Sequence, residues 1–190
     1  RHQFNESAMQ SIYWQSLRHA LNKLSPHCKV VAVKAIHRHL PTQDKLYKQG
    51  RVTFSAICPR CLQEAETNGH VFRCTNNEAL KQRKEDWVDL WKELNKGRTA
   101  TVIEQTWRSH LQPLLDIPLG ISVVETMPVV YGETEALLQF AIHEQSAIVW
   151  DKLLLGMGAV SWKTLQDFMD TNNPRPPQRS ATDWMHLAAR

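Results

Sequence analysis

Three of the chain's four cysteines and one histidine fall within the seventeen residues from Cys58 to Cys74, spaced C-x2-C-x8-H-x3-C. Two cysteines separated by two residues can turn both thiolates toward one point. His70 and Cys74 stand at i and i+4, which stacks their side chains on one face of a helix. Four such ligands make a tetrahedral Cys3His zinc site at Cys58, Cys61, His70 and Cys74. All four positions are then filled by protein, so the ion is expected to be structural, since a catalytic zinc keeps a place for water. The competing readings are a disulfide or unrelated thiols. A disulfide needs an oxidising compartment, and nothing in the chain suggests secretion.

The neighbouring residues suit this geometry. Pro59 stiffens the turn between the first two cysteines, and Arg60 sets a positive charge beside three thiolates. Thr67 is placed to cap a short helix entering at Asn68 and Gly69, with Val71 and Phe72 expected to face a core. Cys28, the remaining thiol, lies among Val30, Val31 and Val33 and is expected to be buried and reduced.

A length of 190 residues suffices for one sizeable domain or two small ones, so one zinc site is a local staple. The sequence shows no membrane-span-length apolar run, and no charged-then-apolar leader is expected. It is expected to be soluble and intracellular, nuclear and/or cytoplasmic, and cut from a longer polypeptide. The net charge of +4 hides an asymmetry. Residues 1–75 carry eleven Lys or Arg against four Asp or Glu, a net of +7, whereas residues 76–190 carry twelve against fifteen, a net of −3. Metal binding with loss of three thiol protons leaves the first part at about +6. A basic region around a small zinc module is an electrostatic footprint for nucleic acid, although a solvated lysine-rich surface would look the same by charge alone.

Helical periodicity dominates the chain. Residues 6–24 predict an amphipathic helix stopped by Pro26, and 28–40 a second, with Val33, Ile36 and Leu40 inward and Lys34, His37 and Arg38 together on another face. Thr42 is expected to cap a short helix ending at Gly50, followed by an extended lead over 51–57 into the cysteines.

The run HRHLPTQDKLYKQGRVTFSAICPRCLQEAETNGHVFRC resembles the zinc-binding domain that follows the polymerase in reverse transcriptases of non-LTR retrotransposons. The resemblance covers roughly residues 10–80 and rests on Leu40, Pro41, Thr42, Leu46, Cys58, Pro59, Cys61, Glu66, Thr67, His70 and Cys74, which stand in that family's order. It implies a parent polyprotein with RNA-directed DNA polymerase activity. This chain lacks the Asp-Asp pair of a polymerase palm, so it is expected not to be an enzyme.

Further helices are predicted over 78–94, with Leu80, Trp87, Trp91 and Leu94 as an apolar stripe, and from a Thr101–Glu104 capping box to Pro113. The Trp87–Trp91 pair could stack on bases but is read as core. Residues 113–132 read as a crossover with an extended piece at 121–124, 133–155 as a long buried helix, and Ser161 as the cap of a helix with Trp162, Leu165 and Phe168. A polar linker over 172–179 and an amphipathic stretch over 183–189 close the chain. The expected fold is all-α, with a Cys3His zinc knuckle inserted between helices. Its divisions are a basic helical region over 1–77, a helical region packing on it over 78–170, and a linker with a short helix over 171–190.

Three functions compete. The first is a zinc-stabilised nucleic-acid-binding accessory domain. Its partners are RNA and/or DNA and the polymerase region of the same polyprotein, with no membrane and no small-molecule substrate. Its phosphate-contact candidates are Lys34, Arg38, Lys45, Lys48, Arg51, Arg60 and Arg73, which flank the knuckle or lead into it. The second is a structural or protein-interaction module stapled by zinc. The third, a nuclease, needs clustered carboxylates with a lysine. Asp116, Glu125, Glu133 and Glu135 show no such phrase, and Glu144, Asp151 and Lys152 read as polar edges.

Overall fold

The computed structural model describes residues 6–52, 55–115 and 130–172. The fold is all-α: among the described residues the only β-type pairings are two isolated bridges, Ile12 with Ala159 and Ile57 with Ala65. The expected pieces at 121–124, 173–179 and 183–189 lie outside the described residues.

The first predicted helix is two, α1 (Glu6–Ser11) and α2 (Trp14–Lys23). The break has a cause far along the chain. Tyr13 donates its N–H to the Gly158 carbonyl at 2.9 Å, and Ile12 pairs with Ala159, so two backbone positions leave the helical ladder to join another segment. Helix α3 (Pro26–Ile36) starts at Ser25, whose hydroxyl accepts from the Cys28 N–H, and it stops before Leu40. Only Ile36 on it is buried. Val33 faces out with Val30 and Val31, and Cys28 is exposed, against the expectation of a buried thiol. Helix α4 (Gln43–Lys48) follows, then Gly50 at φ 66°, where a side chain would be strained.

Next come α5 (Asn68–Val71) and α6 (Asn77–Lys96), the latter capped by the Asn76 side chain. Helix α7 (Thr101–Leu114) holds Thr101 inside its first turn, so the expected capping box does not form. The capping residue is Ala100. Its own N–H is bonded from outside, by Gln166 Oε1 at 2.8 Å. Helix α8 (Gly132–Ile148) is shorter than expected, because Val149 takes φ 79° and turns the chain into a 3-10 segment, Trp150–Leu155. Gly156, at φ 80°, ends that segment. Helix α9 (Val160–Asn172) carries Ser161 as its buried second residue, not its cap.

One apolar cluster joins all of this. Ala8, Ile12 and Leu17 from the first helices pack with Leu94, Ile103, Trp107 and Leu111, and with Leu138, Ile148, Trp162 and Leu165. Trp107 and Trp162 meet edge to face at 5.7 Å. Inside it, Gln145 is fully buried with both polar atoms bonded: its Oε1 accepts from Ala159 N–H and Trp162 Nε1–H, and its Nε2 donates to the Met157 carbonyl. Trp91 is buried and Trp87 partly so, meeting edge to face at 4.8 Å, with the Arg108 guanidinium 4.5 Å above Trp91. That pair belongs to the core.

Candidate metal centre

The Cys3His residues come together by a local fold that needs few outside contacts. Ile57 and Ala65 pair as a minimal ribbon, with Cys58 donating to the Glu64 carbonyl at 2.7 Å and Glu66 to the Ala56 carbonyl at 2.8 Å. The tight turn over Cys58–Leu62 closes through Leu62 N–H to the Cys58 carbonyl, with Leu62 at φ 57°. Thr67 caps α5 as expected, its hydroxyl accepting from the His70 N–H at 3.1 Å. This cap holds His70 on the first turn, facing back toward the cysteines.

The four ligand atoms lie within 4.8 Å of one another, and Cys58, His70 and Cys74 are buried. Cys58 Sγ is 3.8 Å from Cys74 Sγ, and Cys61 Sγ is 3.4 Å from His70 Nε2. A tetrahedral ion about 2.3 Å from each sulfur and about 2.0 Å from nitrogen gives edges of roughly 3.8 and 3.5 Å. These two distances match the edges of a tetrahedral site, and the donor set suits a metal ion. His70 Nδ1 lies 3.3 Å from Glu64 Oε2, so the ring presents Nε2 to the sulfurs while the carboxylate holds the other nitrogen. The sequence reading missed Glu64; an acid six residues before a ligating histidine, in the same loop, was the available signal.

The backbone also prepares the thiolates. N–H groups of Gln63, and then of Glu64, point at Cys61 and lower its pKa to about 6 against the opposing effect of burial. Burial pushes the Cys74 thiol up, opposed by the Asn76 N–H. Val71, expected to face a core, is exposed, while Phe72 is half-buried.

Two side chains tie this knuckle to the segment before it. Glu66 Oε2 accepts the Gln43 N–H at 2.8 Å and so caps α4 from another part of the chain. Thr42, expected to do this, occupies the capping position with its Oγ1 buried and unbonded. Asn68 bridges to the end of α3, accepting from Leu40 N–H and donating to the Arg38 carbonyl.

The basic candidates are distributed around this frame. Lys34, Arg38, Lys48, Arg51, Arg60 and Arg73 are exposed, and Lys45 is half-buried with its Nζ 2.6 Å from His39 Nδ1. Lys48 pairs with Asp44 on its own helix, and Arg38 lies 3.8 Å from Asp151. Helix α3 ends at Ile36 and Arg38 takes φ 55°, so Lys34, His37 and Arg38 do not continue one helical stripe. Arg38 and Arg73 instead line one groove, and Arg60 lines another with Arg83. The polar-edge reading of Glu144 and Lys152 needs correction. Glu144 is half-buried and accepts from the Ser11 hydroxyl at 2.9 Å, while Lys152 is only 6% exposed. No described helix is long and apolar enough to cross a membrane.

Fold and site together define an all-α domain with a knuckle whose Cys3His group could hold a metal ion. Comparison with protein-family models, with curated proteins and with solved structures finds no match for the chain.

Proposed function

We propose that the chain is a zinc-stabilised nucleic-acid-binding accessory domain of a retroelement reverse-transcriptase polyprotein, and that it performs no catalysis itself. The ion is zinc, because three thiolates with one imidazole in a closed tetrahedron suit a borderline-soft ion without redox chemistry and discriminate against magnesium and calcium. The retroelement assignment rests on the resemblance of residues 10–80 described above.

One observation carries the binding role: the metal knuckle is surrounded by exposed cations, with Arg60 and Arg73 on it and Arg38, Lys48 and Arg51 on the segments that Asn68 and Glu66 tie to it. A folded frame that fixes cations in space is what phosphate recognition requires. Base readout is expected to be weak, because the candidate residues are cations with little aromatic surface among them. The alternative, a protein-interaction module, is favoured by one specific feature, the outward-facing Val30, Val31 and Val33 on α3.

The test is binding of the metal-loaded protein to labelled single-stranded RNA, single-stranded DNA and duplex across a salt series. Affinity should fall steeply with salt, and Lys48→Glu or Arg60→Glu should weaken binding to every sequence alike, lowering the log–log slope by roughly 0.7 to 0.9 per lost contact. Absence of salt-sensitive binding to all three at low ionic strength would leave the interaction module in its place.

A further inference from the structure

Lys152 stands out from the other cations. Its residue is 6% exposed, and the nearest carboxylate oxygen, Asp151 Oδ2, is 3.7 Å away, an ion pair too long for a hydrogen bond. Asp151 is itself shared with Arg38 at 3.8 Å, and its Oδ1 is buried without a hydrogen-bond partner. Burying an ammonium is costly unless it is paired or used. The side chain lines a groove of about 710 Å3 between the end of α3, the knuckle helix α5 and the 3-10 segment.

Arg38 and Arg73 line the same groove. The Arg73 guanidinium lies over the start of α5, where a Cβ at Gly69 would sit 3.5 Å from its Nη2. Three cations and one carboxylate leave the groove at a net of about +2, and concave low-dielectric walls concentrate such a field. Trp150 adds an aromatic wall, its ring stacked on His110 at 3.9 Å with an interplanar angle of 13°. The volume lies within the range of small-ligand sites, which run from roughly 300 to 1,000 Å3.

We propose that this groove binds the phosphate of a nucleotide unit, with Lys152, Arg38 and Arg73 as its cationic contacts and Asp151 competing with the phosphate for Lys152 and Arg38. The phosphate can belong to a polynucleotide, which rests on the function proposed above, or to a free mononucleotide, which does not. In either case the binding surface extends beyond the basic first half of the chain, and residues of the acidic second half complete it.

The experiment measures fluorescence anisotropy of a labelled single-stranded oligouridylate on the metal-loaded protein, with calorimetric titration of free uridine monophosphate as a second arm. Lys152→Gln should weaken oligonucleotide binding about tenfold and lower the salt slope by about 0.7. Asp151→Asn, which removes the competing carboxylate, should tighten binding roughly threefold, a gain that damaged folding cannot imitate. If Lys152→Gln fails to fold by circular dichroism, the Asp151→Asn result decides alone. Oligonucleotide binding that keeps its salt sensitivity but ignores both substitutions overturns the groove and leaves the broader nucleic-acid reading intact. If the oligonucleotide does not bind and the mononucleotide does, with the same response to both variants, the groove stands and the nucleic-acid reading falls. Failure of both ligands overturns the groove.

Discussion

Glu66→Ala should loosen α4 without touching the rest of the fold. Helix α4 has six residues, far below the length at which a helix is stable alone, so it depends on the contacts at its ends. Its N-terminal cap is the Glu66 carboxylate on the Gln43 N–H at 2.8 Å, since Thr42 Oγ1 makes no bond. A charged acceptor on an amide contributes about 1.5–3 kcal/mol, and interaction with the helix dipole about 0.3–1 more. Glu66 is partly exposed, and water will replace some of that, leaving about 1–2 kcal/mol. At about 1.4 kcal/mol per factor of ten, local opening of α4 should become roughly five- to thirty-fold more frequent. Native-state amide exchange of the metal-loaded protein reads this directly. Amides of residues 46–50 should exchange faster in the variant, and those of α7 and α9 should not change. Unaltered protection in α4 would show that the carboxylate contributes nothing to it. Equal acceleration in α7 would show that the damage is global, and either result refutes the argument.

Metal analysis of reductively purified protein should find one zinc per chain, and Cys61→Ser should lower that content sharply; content unaffected by the change would remove Cys61 from the site. Chelation should release protection over residues 55–76 and in α4 before the helices from α6 onward, because Glu66 and Asn68 carry the metal's influence backward; uniform loss of helix signal would contradict this. Gln145→Met keeps the volume but strips acceptors from Ala159 N–H and Trp162 Nε1–H, so chemical denaturation should show a loss of about 3–5 kcal/mol, and a loss under about 1 would mean those donors find other partners. Cys28 should alkylate in the metal-loaded protein while Cys58 and Cys74 stay protected, as peptide mapping by mass spectrometry would show.

The Cys3His cluster was readable because its geometry is local: a two-residue spacer, one helical turn and a Thr cap determine it within seventeen residues. Helix periodicity likewise placed α6 and the Trp91 and Leu94 positions it buries. What periodicity could not show was any bond made to a distant segment. The break at Ile12–Tyr13 depends on Gly158 and Ala159, the cap of α4 on Glu66, and the start of α7 on Gln166. In each case a polar group from elsewhere overrides the local pattern. Val149 at φ 79° is the plainest instance, since a β-branched residue carries no sequence signal for a left-handed turn. Cys28 failed for another reason: neighbouring valines suggest burial, but the face of α3 they form is not covered among the described residues.

The pairing of Ile12 with Ala159 joins positions 147 residues apart (12 to 159), whereas Cys58 and Cys74 are separated by only sixteen. On a ribosome adding about 5–20 residues per second, the first helices wait roughly 7–30 s for their partner strip to be made. The knuckle can close around its ion within a few seconds of its own synthesis. During that interval the loop, once it holds the proposed ion, is a folded island upstream of an unfinished core. Ala8, Ile12 and Leu17 remain uncovered until α8 and α9 arrive, so during synthesis this domain is most vulnerable to aggregation around residues 8–17 and most ordered around the knuckle.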